Sequence, residues 1–310
     1  MSEPRTADQL RGCWATVLLP INSDDRIDMH RLADELDVLV ASGVDGVYTG
    51  GTAGEFYNLT EKEFDAVNES CAERCRDASL PFQIGVSHMS PWLSLGRLRR
   101  ARALSPRAMQ VILPDWFPPS EQERVAFLSR MAEEADPIGL VLYNPPHAKV
   151  TLTPQQFGNL ARGVPGLVGV KVADGDAGWY AAMREHADRL AVFVPGHHMA
   201  TGIRQGAHGS YSNVACLNPA ASARWYLQII TNIEMALNLE LRIRRFMDAH
   251  VVPLAQRHGY SNQALDKLLA AIGDWADIGT RLRWPYRGVD IAESDRLRPI
   301  AKELLPEFFV

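Results

Sequence analysis

Short runs of apolar and β-branched residues alternate with segments of helical periodicity along the first two thirds of the chain. This alternation is typical of βα units, which place parallel strands side by side in one sheet. Eight such runs favour a closed barrel over an open, doubly wound sheet. The sequence therefore predicts an α/β fold, a (β/α)8 barrel. The predicted strands cover residues 12–19, 46–49, 82–86, 108–113, 139–143, 166–171, 191–194 and 209–211.

A long helical stretch follows the eighth predicted strand. From Pro219 to about Leu305 the apolar residues recur at helical spacing, and no clear strand interrupts them. This stretch is longer than the single helix needed to complete an eighth βα unit. We therefore predict a catalytic barrel over residues 1–221 and a C-terminal helical region over residues 222–310.

Composition restricts the partners and the compartment that we expect. Of the 310 residues 46% are hydrophobic, and the net charge of −5 is spread along the chain. Neither a block of like charge nor an apolar run of roughly 18 residues is present, so we expect no nucleic-acid partner and no membrane span. Four cysteines in a chain of this length fit a reducing compartment. The prediction is a cytoplasmic protein.

Two polar side chains end neighbouring predicted strands. Lys171 ends the sixth strand and Tyr143 ends the fifth. Active sites of this fold lie at the carboxyl ends of the strands, and adjacent strands are about 5 Å apart. A desolvated lysine there can attack a ketone to form an imine, and a phenol can move protons. From the residues alone, a lysine that points to solvent or pairs with Asp174 or Asp176 stays open, as does a tyrosine that only anchors its loop.

Two loops rich in small residues follow the second strand and lead into the eighth. They read GGTAGE over residues 50–55 and GAHGSYSN over residues 206–213. Backbone N–H groups in such loops can turn toward an anion, and a substrate carboxylate is the candidate. A tight turn between a strand and a helix would explain the same residues.

The order of these motifs resembles the dihydrodipicolinate synthase/N-acetylneuraminate lyase superfamily. The motifs are GGTxGE after strand two, YNxP after strand five, a lysine on strand six, a glycine after strand seven and GSYSN at strand eight. The resemblance implies that Lys171 forms the imine, that Tyr143 shuttles protons, and that the Thr52 hydroxyl bonds to Tyr143. It also implies pyruvate as the 2-oxo acid, no cofactor, and a homo-oligomer, most simply a tetramer.

Further residues follow from the same resemblance. The backbone of Thr52 and Ala53 would hold the carboxylate of the oxo acid. Gly51, Gly196 and Tyr211 match positions that line the site, and Tyr211 would contribute mainly its carbonyl.

Three positions depart from the dihydrodipicolinate synthase pattern. Ala53 stands where those synthases carry a second threonine, and Trp116 stands where they lend a tyrosine to the neighbouring subunit. Ala148 stands where an arginine grips the carboxylate of the second substrate. An indole can donate a hydrogen bond but cannot relay a proton as a phenol does. We therefore expect a member of the superfamily other than a true dihydrodipicolinate synthase.

The acceptor side of the site is predicted from loop position. His147 and His197 are candidates to bind hydroxyl groups of a second substrate, and Trp116 is a candidate to stack on an apolar aldehyde or to pack at a subunit contact. His197 and His198 are adjacent in sequence, and adjacent residues rarely converge on one ion. We expect no metal site.

The leading functional prediction is a lyase or aldolase that forms or cleaves a C–C bond between pyruvate and an aldehyde. One alternative is a dehydratase of a 2-keto-3-deoxy sugar acid that uses the same lysine imine. Another is a barrel that binds a 2-oxo acid without turnover. The presence of Lys171, Tyr143 and Thr52 argues against a barrel that only binds the oxo acid, because a pure binding protein needs no nucleophile.

Overall fold

A computed structural model describes residues 7–310, and within them eight parallel strands close into a barrel. The strands pair in chain order, and the eighth pairs back with the first. The predicted (β/α)8 fold is confirmed. The strands are β1 Gly12–Thr16, β2 Gly46–Thr49, β3 Phe82–Gly85, β4 Ala108–Val111, β5 Gly139–Tyr143, β6 Leu167–Lys171, β7 Ala191–Pro195 and β8 Gly209–Ser212.

Helices follow the strands and form the outer layer. Local sequence sets where two of them begin: Thr60 and Glu63 form a capping box, and Thr153 caps a helix with Pro154 at its first position. Both starts agree with the sequence pattern. These helices are α1 Met29–Ala41, α2 Glu61–Asp77, α3 Pro91–Arg102, α4 Glu121–Ala135, α5 Pro154–Gly163, α6 Ala177–His186 and α7 Met199–Gln205.

Every described element after β8 is helical. Within this region α12 (Asn262–Gly273) packs against α8 (Val214–Leu217) and α13 (Ile291–Leu304), and α10 (Ile233–Phe246) packs against α7. None of the helices that the structure describes is long and apolar enough to cross a membrane. The helices are α8 Val214–Leu217, α9 Pro219–Thr231, α10 Ile233–Phe246, α11 Val252–His258, α12 Asn262–Gly273 and α13 Ile291–Leu304, with a π-helical turn at Met247–Val251.

Aromatic side chains fill the interior of the barrel. The rings of Phe193 and Tyr211 lie with their centroids 4.5 Å apart, and the Tyr48 ring lies 4.9 Å from that of Tyr211. Trp14 meets the same tyrosine edge to face at 6.1 Å. These rings leave a packed core below and an open cavity at the carboxyl ends of the strands, where the candidate site lies.

Candidate active site

Lys171 and Tyr143 face each other at the mouth of the barrel. The register of β5 and β6 places the two residues directly opposite each other. The Lys171 Nζ atom lies 4.3 Å from the centre of the Tyr143 ring, 5.0 Å from that of Tyr48 and 5.4 Å from that of Tyr211. Aromatic rings attract a cation placed over their faces, so these three rings can stabilise positive charge on this nitrogen.

The surroundings of Lys171 change its acidity. Burial lowers the pKa of Lys171 to about 8, although the negative charge of Asp266 opposes this change. Near neutral pH, the neutral amine is therefore about two orders of magnitude more abundant than for a lysine in water. Because the neutral amine is the nucleophile, this site favours attack on a carbonyl carbon.

The loop after β2 brings the Thr52 side chain beside the phenol of Tyr143. Burial raises the pKa of Tyr143 more than the influence of Thr52 lowers it, so the phenol stays protonated at neutral pH. The loop lies tightly against the barrel: at Gly50, whose φ is +63°, a Cβ atom would lie 2.3 Å from the carbonyl oxygen of Gly85. Only glycine tolerates both the dihedral angle and the close approach.

A cavity of about 680 Å³ lies at the barrel mouth. It collects seven of the ten predicted site residues, which are Thr52, Ala53, Tyr143, His147, Lys171, His197 and Tyr211. A second cavity of about 590 Å³ shares Thr52, Tyr143 and His147 with the first. Its other walls are largely apolar and include Phe56, Leu113, Pro114 and Tyr286.

Two histidines form one wall of the first cavity. Nδ1 of His197 lies 3.1 Å from Oδ1 of Asn213, and Nδ1 of His198 lies 3.1 Å from Oδ2 of Asp174. The Tyr180 hydroxyl donates a hydrogen bond of 2.6 Å to the other oxygen of Asp174. Burial and then the neighbouring His198 lower the pKa of His197 to about 4. His197 is therefore neutral at pH 7 and is held in one orientation.

The remaining predicted residues lie outside the cavity lining. A Cβ atom on Gly196 would lie 2.4 Å from Oγ of Ser212, and one on Gly51 would lie 2.9 Å from the Tyr48 ring. Both glycines therefore permit close packing around the site. Trp116 is 80% exposed, and its carbonyl accepts a hydrogen bond of 2.9 Å from the Lys149 amine. This chain does not place the indole in its own cavity.

The Tyr211 side chain is held in the cavity wall by a hydrogen bond inside the barrel. The resemblance implies a role for its carbonyl, yet its ring forms part of the cavity wall below the Lys171 amine. Its hydroxyl donates a hydrogen bond of 2.6 Å to Oε1 of Gln83 inside the barrel. The ring is thereby fixed in position.

Tyr48 and Asp266 are among the residues of the cavity wall that the sequence does not predict. Tyr48 points into the barrel from β2, and the alternation of that strand was an available signal. Asp266 lies on α12, more than 90 residues after Lys171. A charged pair within the apolar run ALDKLLA was its only signal, and this pattern does not say what the helix packs against.

A parallel barrel that places a lysine of lowered pKa beside a phenol at its strand ends has the layout of an active site in which an amine could attack a carbonyl carbon. A family model described as the Dihydrodipicolinate synthetase family matches residues 9–302, so the chain belongs to that family. The superfamily resemblance read from the motifs is thereby confirmed. Named relatives are synthases and lyases, which places the chain in a lyase class.

Two curated relatives illustrate the range of the family. The chain is 28% identical over 250 residues to 4-hydroxy-tetrahydrodipicolinate synthase of Thermomicrobium roseum, covering 80% of this chain and 79% of the relative. It is also 28% identical over 205 residues to N-acetylneuraminate lyase of an Enterobacter strain, covering 66% of this chain and 68% of the relative. At these levels of identity, sequence similarity does not choose between the two reactions.

Solved structures share the fold. A prophage protein of the dihydrodipicolinic acid synthase family from Escherichia coli K12, solved in complex with pyruvate, superposes with a TM-score of 0.81 at 19% identity. The match covers 95% of this chain and 98% of that one. A catalytic lysine mutant of Ruminococcus gnavus sialic acid aldolase superposes with a TM-score of 0.82 at 18% identity, covering 98% and 97% of the two chains.

Proposed function

We propose that this protein is a lyase that holds pyruvate as an imine on Lys171 and forms or cleaves a C–C bond between pyruvate and an aldehyde. The observation that carries the proposal is the half-buried Lys171 amine, with its lowered pKa, beside the Tyr143 phenol and the Thr52 side chain. The lysine supplies the electron sink once its imine is protonated, so the reaction needs no cofactor.

The geometry supports the following first steps. The neutral amine of Lys171 attacks C2 of pyruvate, and the C2 oxygen leaves as water after it has received protons. Tyr143 donates to this oxygen, since its phenol is protonated and lies beside the amine. The backbone N–H groups of Thr52 and Ala53 hold the pyruvate carboxylate, and the rings of Tyr48 and Tyr211 stabilise the iminium cation.

The second substrate occupies the outer part of the cavity. His147 lies at its exposed rim and His197 lies in its wall, and both can bind oxygen atoms of an aldehyde. Gly51 and Gly196 act by letting the loop and the strand end pack closely around the reacting atoms. Ala148 offers no side chain that could bind a second carboxylate, so we propose an acceptor other than aspartate semialdehyde.

A similar structure supports pyruvate as the oxo acid, because the prophage protein of the dihydrodipicolinic acid synthase family was solved in complex with pyruvate. The direct test is treatment of the protein with pyruvate and borohydride, followed by intact-mass measurement. One reduced pyruvate per chain is expected, and a protein that gains no mass would contradict the proposal. Incubating pyruvate with a panel of aldehydes, and separately testing deoxy-keto sugar acids, then separates an aldolase from a dehydratase by its products.

Replacing Tyr143 with phenylalanine should slow turnover by about 10²-fold or more, because the variant lacks the proton-donating hydroxyl but keeps the ring. The ring still packs over the Lys171 amine, so folding should be preserved. Steady-state kinetics with the best aldehyde from the panel measures the effect. Tyr260→Phe is a control for losing a phenol away from the cavity lining. Near-normal turnover in Tyr143→Phe would make this phenol structural.

We also propose that the protein assembles as a homo-oligomer, a tetramer built from dimers, with Trp116 at a subunit contact. Trp116 and Phe117 are 80% and 85% exposed on one chain, and a large exposed aromatic pair usually marks a contact. Prolines at 118 and 119 stiffen this loop, so holding the aromatic rings outward costs little ordering entropy.

Trp116→Ala should therefore shift the assembly toward smaller species at micromolar concentration. Light scattering measures the mass, and Leu227→Ala serves as a control because Leu227 is an exposed apolar residue on α9. A wild-type protein with the mass of one chain would contradict the proposed assembly. An unchanged mass in Trp116→Ala would remove this residue from the contact.

A further inference from the structure

Asp266 places a carboxyl group in the wall of the cavity that also holds the Lys171 amine. It lies on α12 and forms part of the same 680 Å³ cavity as Lys171, Tyr143 and Thr52. In the part of the chain that the structure describes, its carboxyl group accepts no hydrogen bond and forms no direct ion pair with Lys171, yet each charge shifts the pKa of the other group. A carboxylate and a reactive amine that line one cavity without a direct contact leave room for a substrate between them.

The position of α12 is fixed by contacts at both ends of the segment that carries Asp266. Lys267 donates a hydrogen bond of 3.0 Å to Oε1 of Glu55, which follows Thr52 in the β2 loop. The Gln263 amide donates a 2.5 Å hydrogen bond to the Tyr57 hydroxyl. The carboxyl group is therefore presented from a rigid support, as a group that acts on a substrate atom must be.

The other titratable groups around this cavity are poorly suited to act as a base on carbon. Burial raises the pKa of four acidic groups around the amine, so they stay protonated at neutral pH; they are Tyr48, Tyr143, Tyr211 and Cys216. His197, with its pKa lowered to about 4, is a weak base, and His198 is paired with Asp174. His147 and Asp248 are exposed at the rim.

We propose that Asp266 is the catalytic base that removes a proton from C3 of the pyruvate imine. The carboxylate takes the proton, the C3–H electron pair becomes the C2=C3 double bond, and the C2=N pair moves onto the lysine nitrogen. The products are a neutral enamine and a carboxylic acid. In the reverse direction the acid returns the proton to C3. This inference rests on the proposed pyruvate imine and assigns its carbon proton to a residue other than Tyr143.

The acidity of Asp266 suits this task. Burial raises its pKa to about 7, and the positive charge of Lys171 acts in the opposite direction. A general base is most effective when its pKa lies near the working pH. The iminium also carries a positive charge that favours the ionised carboxylate beside it. Tyr143, which stays protonated and whose ring lies beside the Lys171 amine, is suited to donate a proton to the departing oxygen instead.

Pyruvate alone tests the assignment, because loss of a C3 proton can be followed without an acceptor. Wild type and Asp266→Asn are incubated with pyruvate in D2O, and exchange of the methyl protons is measured by proton NMR. Exchange should be about 10² to 10⁴-fold slower in the variant. Borohydride trapping should be at least as fast as in wild type at pH 7, because loss of the Asp266 charge lowers the pKa of Lys171 further. Asp274→Asn, the same change at the exposed end of α12, should behave as wild type.

Each outcome separates this inference from the proposed function. A wild type without a pyruvate adduct contradicts the imine itself. An Asp266→Asn variant that forms the adduct and exchanges normally leaves the imine intact and overturns the role of Asp266. So does a wild type that forms the adduct but does not exchange. A variant that forms no adduct would show that Asp266 is needed before C3 chemistry, which also overturns the assignment.

Discussion

Lys171→Ala should abolish the borohydride-trapped pyruvate adduct and reduce turnover to the background rate. The variant lacks the amine that attacks C2, and no other lysine lines the described cavity. None of the other side chains that line this cavity can form an imine with pyruvate, so the loss of turnover should be complete rather than partial. Intact-mass measurement before and after reduction gives the result, and peptide mapping of the wild type should place the added mass on residue 171.

Lys149→Ala is the matched control for this experiment. Lys149 lies near the exposed Trp116 loop, and its amine donates to the Trp116 carbonyl. Its removal should leave the adduct unchanged. An adduct of equal yield in Lys171→Ala would mean that pyruvate reacts elsewhere.

The pH dependence of borohydride trapping tests the lowered pKa of Lys171 independently. The pKa of Lys171 is lowered to about 8, so its neutral fraction rises as the pH rises through 8 and levels off above it. The initial rate of imine formation should follow this rise. In an ordinary lysine the rise would centre near 10.4.

The sequence predicts the barrel and the meeting of Lys171 with Tyr143 for local reasons. Each strand is a short apolar run, and consecutive parallel strands become neighbours once the barrel closes. Residues that end two such strands must then lie side by side, as the register of β5 and β6 shows. The fold and the pairing of Lys171 with Tyr143 can therefore both be predicted from sequence patterns within single βα units.

Asp266 and Trp116 show where sequence reasoning stops. The helical pattern around Asp266 predicts α12, but only tertiary packing decides that this helix faces the barrel mouth. A single sequence contains no local signal for such a long-range contact. Trp116 presents the opposite case: its loop is predicted beside the site, whereas its side chain is exposed and does not line the described cavities of its own chain.

A buried ion pair joins the two parts of the site that sequence reasoning treats separately. The side chains of Glu55 and Lys267 are 1% and 0% exposed, and their charged atoms lie 3.0 Å apart. Glu55 also accepts a hydrogen bond of 3.1 Å from the backbone N–H of Arg283, and it adopts a φ of +46°. This pair connects the β2 loop, which carries Thr52, to α12, which carries Asp266.

Lys267→Met should therefore destabilise the protein strongly, because it leaves the Glu55 carboxylate buried without its cation. Removing one partner of a buried pair costs about 3–5 kcal/mol, which lowers Tm on the order of 10 °C in a chain of this size. Thermal unfolding followed by circular dichroism measures the change. Arg296→Met removes one partner of the exposed Glu293 pair and should cost about 0.5 kcal/mol or less.

The double variant Lys267→Met with Glu55→Gln distinguishes a buried charge from lost packing. Neutralising Glu55 removes the uncompensated charge, so the double variant should unfold at a higher temperature than Lys267→Met alone. If the double variant is no more stable, the cost lies in packing and the ion pair is not the cause. Both variants should also form the pyruvate adduct more slowly when folded, since the loop that carries Thr52 is no longer held against α12. Normal trapping in the folded variants would mean that the loop keeps its position without this pair.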